Sequence, residues 1–422
     1  MTGLERLAVC LMLCTSGLAR AAADPHTLLD RLHAALFVRS APGGEQFEND
    51  GLDILFWDDT KHLLTSPSHE KAIEVLDEFI RDHGERSMRQ PLQRAMLQRD
   101  LWELFDWSAN VRSPPEAGSP ESRARVALQD RLVTAIKRLA LSAAAIRRLP
   151  NSIAEAEERL GDSGFPRGLA AADGPWQLVG RPYGPAATEH VTDFGGRSVF
   201  LVFVKFPGGR EAALGYLKEL REFTPALVYL EEMQPSGPRL LLRTNPATPQ
   251  FPAGTQWALV RRLCLIDDSG EIRASPLAES VQVRSYAAIP EDGSSRALIQ
   301  DSQRVAEFQL DRAKLPALRA VEEGERAFQF VHFRSMGVDP FEKIGAADWI
   351  RERDRFRGET LRTCRQCHST RGILSVNTYA AFGLAANPLH VTTADQEASA
   401  IREWKSRQFD WGLLVGLWRK AH

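Results

Sequence analysis

Cysteine is scarce in this chain, with five in 422 residues. An exported protein of this size braced by disulfides normally carries more. Charge of one sign is also missing: 53 Lys and Arg stand against 55 Asp and Glu. That near-neutral balance argues against a general nucleic-acid binder. No segment beyond the N-terminus approaches the roughly 20 apolar residues that cross a bilayer. Gly-x-Ser-x-Gly, a phosphate-binding loop and His-Glu-x-x-His are all absent, which removes the commonest hydrolase, nucleotide-binding and metalloprotease signals. Gly195-Gly196 and Gly208-Gly209 flank an apolar run, and neither pair fits a dinucleotide fingerprint. The acidic pairs Glu231-Glu232, Asp267-Asp268 and Glu322-Glu323 point apart on any regular element, so they read as turns or solvated surface. There is no internal repeat and no low-complexity tract. No methionine follows Met336.

The first residues have the pattern of a secretory signal peptide. Arg6 precedes the apolar run Leu7 to Leu13, and Ala21-Ala22-Ala23 offers small residues for cleavage before Asp24. A lipoprotein signal needs a small residue before Cys14, where Leu13 stands. The expected mature chain is exported, periplasmic or equivalent, and has no integral membrane span. It keeps only Cys264, Cys364 and Cys367. Cys264 lies in the apolar run Ala258 to Ile266 and reads as a small buried hydrophobe.

Periodicity then predicts a multidomain α+β chain. From 24 to 165 the spacing is helical, with segments at His26 to Phe37, Lys71 to Arg81, Met88 to Trp107 and one long helix from Glu121 to Arg148. Trp102 and Trp107 read as core. The glycine- and proline-rich stretch Gly161 to Pro185 is the expected boundary. From 185 to 335 the pattern is that of antiparallel strands. They include Ser198 to Phe206 and a hairpin of Gln256 to Ile266 with Ile272 to Ile289 across Asp267-Asp268-Ser269-Gly270. A sandwich or small barrel of about seven strands is the expected form. From 340 to 422 the chain returns to helix. Ile344 to Leu361 leads to Cys364, and the capping box of Thr393 and Gln396 opens one final helix. Gly412 and Gly416 on that helix would let another helix cross closely.

The most specific feature is Cys364-Arg365-Gln366-Cys367-His368. Cys-x-x-Cys-His is the c-type haem attachment signature. Two thiols at this spacing add to the two vinyl groups of one porphyrin, and the histidine ligates the iron. A thioredoxin-like redox pair would follow a strand early in an α/β domain. A zinc site would need two further ligands, and no second cysteine pair exists. Covalent haem c, with its iron, is therefore the expected cofactor.

Residues 344–422 resemble a class I cytochrome c domain: a helix leading to the motif, a loop, and a C-terminal helix. The resemblance implies thioether links at Cys364 and Cys367 and His368 as proximal iron ligand. It departs from the family in the sixth ligand, which such domains take from a methionine downstream of the motif. His390, in Asn387-Pro388-Leu389-His390, is the leading candidate in its place. Met336, His332 or an open iron are the alternatives. Arg362 and Arg371 are the arginines nearest the motif for pairing with haem propionates. Lysine is sparse, so the lysine-rich docking surface of soluble mitochondrial-type cytochromes c is not expected.

The expected function is one-electron transfer with a redox protein partner. A haem-dependent oxidoreductase or peroxidase with an open iron is the alternative, and a haem-based sensor or structural protein the second. The roles of 24–335 and the oligomeric state are open at this level.

Overall fold

The computed structural model describes residues 27–40, 46–48, 61–110, 115–161, 163–169, 171, 173–225, 227–291, 293–328, 357–376 and 389–421. The expected signal segment 1–23, His332, Met336 and most of the helix expected before Cys364 lie outside the described residues.

The N-terminal part is helical, as its spacing predicts. Helix α1 (Leu28–Phe37) is capped by Thr27, whose side chain accepts from the Asp30 amide. It runs into a small hairpin of β1 (Val38–Ser40) and β2 (Gln46–Glu48). Next come α2 (Ser68–Arg81), α3 (Pro91–Ala109) and α4 (Pro120–Leu139), the last two with proline in the first turn. Helix α3 is buried nearly all round, with Trp102 and Trp107 in the core. The long helix expected from Glu121 to Arg148 is broken. Leu141 bridges to Asp267, and Ser142 caps a new helix, α5 (Ala143–Arg147). Helix α6 (Ser152–Leu160) follows under an Asn151 cap.

The middle of the chain supplies β3 (Gln177–Gly180), α7 (Thr188–Asp193), β4 (Ser198–Lys205) and α8 (Gly209–Glu222). A separate hairpin pairs β5 (Leu227–Gln234) with β6 (Gly237–Thr244). Then come β7 (Gln256–Ile266), β8 (Ile272–Tyr286), α9 (Arg296–Asp301), β9 (Gln303–Leu310) and β10 (Leu318–Ala320). Strand β11 (Arg326–Phe328) pairs with β12 (Arg357–Glu359). The C-terminal part adds α10 (Thr360–Cys367), β13 (His390–Val391), α11 (Ala394–Ser406) and α12 (Phe409–Lys420).

The central sheet is one open antiparallel layer in the order β10-β9-β8-β7-β4-β3-β13. It is neither the sandwich nor the barrel expected. Helices replace a second sheet as cover, which is why β4 and β7 are apolar and buried along almost their whole length. Side chains alternate across the sheet, so directly paired rows share a face. The row Leu201–Val260–Val281–Phe308 faces the N-terminal helical part, and Phe165 meets Phe308 edge-on at 4.9 Å. The rows Phe200–Arg261–Ser280–Gln309, Val202–Leu259–Gln282–Glu307 and Val204–Trp257–Arg284–Val305 share the opposite face.

The C-terminal segment is not the self-contained all-α domain expected over 340–422. Strand β13 extends the sheet beyond β3, with His390 opposite Gly180. Helix α12 packs on α3 and α4, and one apolar cluster runs from Leu32 to Trp418. The Thr393–Gln396 capping box forms as expected. The single final helix does not, because the chain breaks between Ser406 and Phe409 and Asp410 accepts from the Trp411 amide. Gly412 and Gly416 have nothing within 4 Å of where a Cβ would stand, so no helix among the described residues crosses closely there. No helix among the described residues is long and apolar enough to cross a membrane.

A buried charge network ties these parts together. Arg99 meets Glu103 and Glu279, Arg197 meets Glu103 and Asp106, and Arg261 meets Glu279. Lys405 Nζ donates to Asp106 at 2.7 Å and to Asp410 at 2.8 Å. The network links α3, β7, β8, α11 and α12 with Arg197, the residue that leads into β4.

Candidate functional site

Helix α10 lies over β8 and β9, on the face opposite the N-terminal helices, and polar residues of that face hold it. Gln282 Nε2 donates to Cys364 Sγ at 2.9 Å, and Arg284 donates to the Cys364 carbonyl at 2.8 Å. The Cys364 thiol faces Glu307 at 3.6 Å, and Gln303 donates to the Thr370 carbonyl at 3.2 Å. Cys364 is not in a disulfide. Burial, reinforced by Glu307, pushes its thiol up to about 12. A redox cysteine needs the opposite, an electropositive setting that stabilises thiolate. A thioether, which has no proton to lose, suits this setting.

His368 follows as the residue that ends α10. Its Nδ1 lies 2.7 Å from the Ser375 carbonyl oxygen. A carbonyl only accepts, so Nδ1 carries the proton and Nε2 keeps a free lone pair. Burial first, then Arg284, lowers the imidazole to about 3. The ring is therefore neutral over the ordinary pH range. The loop that supplies the carbonyl is itself fixed. The Ser375 hydroxyl donates to the Gly372 carbonyl at 2.7 Å, which leaves its oxygen to accept from Tyr286 at 2.6 Å. Gln250 Oε1 accepts from the Ile373 amide at 3.0 Å.

His368 lines a cavity above the sheet, enclosing about 570 Å³ with its open mouth counted. Val202, Leu259, Trp257 and Val376 make apolar walls, and Gln282 and Arg284 are polar. A second histidine, His190 of α7, lines the same cavity. Burial, with Arg261 and Arg284, lowers it to about 4.

The structure thus brings Cys364 and His368 together over the sheet, with Cys367 the last residue of α10. It does not bring His390 to them. Pairing with Gly180 fixes His390 at the sheet edge, and it is not among the residues lining the cavity. Burial, then Arg221, lowers its imidazole from the ordinary value. Arg362 is exposed and Arg371 reaches the Pro246 carbonyl, while Arg284 is the arginine in the cavity wall. Sequence reading missed His190, which lies far from the motif in a short helix. The available signal was polar Gln282 and Arg284 two residues apart on one face of β8, opposite apolar Leu259 and Trp257 of β7, marking a face that is not simple core. Cys264 is buried, as expected, and its thiol is pushed up to about 12 by burial and Glu279.

Among the described residues, no group of three or more His, Cys, Asp or Glu side chains is placed to hold a metal ion. A haem iron asks less, since the porphyrin supplies four of its ligands. No family model, curated protein or solved structure matches the chain.

Proposed function

We propose that this protein is an exported monohaem c-type cytochrome that carries single electrons to or from a redox protein partner. The observation that carries the reading is His368. It stands directly after the cysteine pair, with Nδ1 held by a backbone carbonyl and Nε2 left free beside an apolar cavity. An outer hydrogen bond to the other ring nitrogen is how proteins orient a ligating imidazole and raise its basicity.

The residues fit haem c. Cys364 is a half-buried thiol whose surroundings disfavour the thiolate, a setting that suits the proton-free sulfur of a formed thioether. Val202, Leu259 and Val376 offer an apolar wall for a porphyrin, and Arg284 is a guanidinium for a carboxylate. Trp257, in the same wall, keeps a buried Nε1–H with no acceptor among the described residues, a donor left over for a bound oxygen. Bound haem would supply the one-electron chemistry at its iron. The chain's own work is to hold His368 through Ser375, Tyr286 and Gln250, to exclude water with the apolar wall, and to fix α10 through Gln282 and Arg284. The N-terminal signal pattern accounts for export to a compartment where haem is attached.

The test is a haem stain after denaturing electrophoresis of the full chain, purified from an export-competent host with a haem-attachment system. The expected result is a stained band that disappears in the Cys364→Ala/Cys367→Ala variant. A colourless wild-type band contradicts the reading.

A further inference from the structure

We propose that His190 is the sixth ligand of the iron, facing His368 across the haem; this deepens the cytochrome reading and rests on it. The inference begins with the sheet. Helix α10 packs against β9, and its Cys364 is bonded to β8, whereas α7 packs against β4. In the order β9-β8-β7-β4 the two helices therefore stand two to three strand spacings apart, roughly 10–14 Å. Between them, over β7, lies the cavity that both His190 and His368 line. Each imidazole comes from its own side of that gap.

His190 is positioned rather than free. The chain entering α7 is pinned where Glu397 Oε2 accepts from the Ala186 amide at 3.0 Å. The imidazole lies almost parallel to Phe200, with ring centroids 5.5 Å apart and planes at 25°. Phe194 packs on Phe200 from beside it, and Arg261 covers Phe194 at 4.2 Å. Yet neither ring nitrogen of His190 makes a hydrogen bond to a described residue. A partly buried imidazole held in one orientation with both nitrogens unspent has the capacity to ligate iron. The same geometry assigns no such part to His390, which the β3 pairing holds at the edge of the sheet.

The experiment is the ferric absorption and electron-paramagnetic-resonance spectrum of the full haem-loaded chain, with His190→Ala, His190→Met and His390→Ala variants. The wild type is expected to be six-coordinate and low-spin. His190→Ala should shift to high-spin, and added imidazole should return it to low-spin. His190→Met, which keeps bulk and a ligating atom should His190→Ala not fold, should stay six-coordinate and titrate at a higher reduction potential, because a thioether favours ferrous iron. His390→Ala should match the wild type. A high-spin wild type, an unchanged spectrum and potential in both His190 variants, or a high-spin His390→Ala overturns the proposal while leaving haem attachment standing. A wild type with no covalent haem overturns the cytochrome reading and this assignment together.

Discussion

At the scale of single residues, His368 and His190 share one electrostatic condition. Each is neutral in the folded chain because burial disfavours its charge, and Arg284 adds repulsion to both. Their folded values, about 3 and about 4, lie below the ordinary 6.5. The unfolded chain therefore binds more protons than the folded chain between those limits. Stability is full above pH 6.5 and falls as pH drops toward 4 and then 3, at up to about 1.4 kcal/mol per pH unit for each imidazole. Urea midpoints of the haem-free chain should decline over that window. His190→Gln should make the decline shallower, and a slope unchanged by this substitution would contradict the account. The Cys-x-x-Cys-His spacing of Cys364, Cys367 and His368 was visible in the sequence because it depends only on adjacency along the chain. His190 was not, because its place depends on α7 folding back over β4. The expectation for His390 rested on its order in the chain, and a two-residue strand pairing placed it elsewhere.

At the scale of elements, the apolar runs were legible and the interruptions were not. Strand β4 and the β7–β8 hairpin fall where β-branched apolar runs and turn residues put them. The break after α4 goes with a partner distant in sequence, Asp267 for Leu141, and the end of α11 carries Lys405 to distant Asp106. Lys405, fully buried, is held by Asp106 and Asp410, and Asp106 also receives Arg197 at 2.7 Å. Removing one partner of a buried ion pair leaves the other charge uncompensated, at about 3–5 kcal/mol. Asp106→Ala should lose that much in denaturant unfolding, a large share of the 5–15 kcal/mol typical of a folded domain. A loss below about 1 kcal/mol would show that the network does not join α3 to α11 and β4.

At the scale of the whole molecule, periodicity pointed correctly to mixed helix and antiparallel sheet, and the misreading was of layers. An apolar strand reads the same whether a second sheet or a set of helices covers it, so the sandwich expectation had no local signal against it. The C-terminal segment reads as a separate domain by its helical periodicity, but its helices complete the core begun by α3 and α4, and β13 extends the sheet. That arrangement places the Cys-x-x-Cys-His segment on the sheet rather than inside a helical bundle. The β-rich region, whose part the sequence left blank, forms the floor and wall of the cavity that His368 lines and contributes His190 to it. The central claim is that one haem is bonded to this chain at Cys364 and Cys367. Mass spectrometry of peptides from the full protein, matured in an export-competent host, measures this directly. The expected result is a peptide spanning 364–368 that carries one haem through both cysteines; the same peptide found only with free thiols or a disulfide would contradict it.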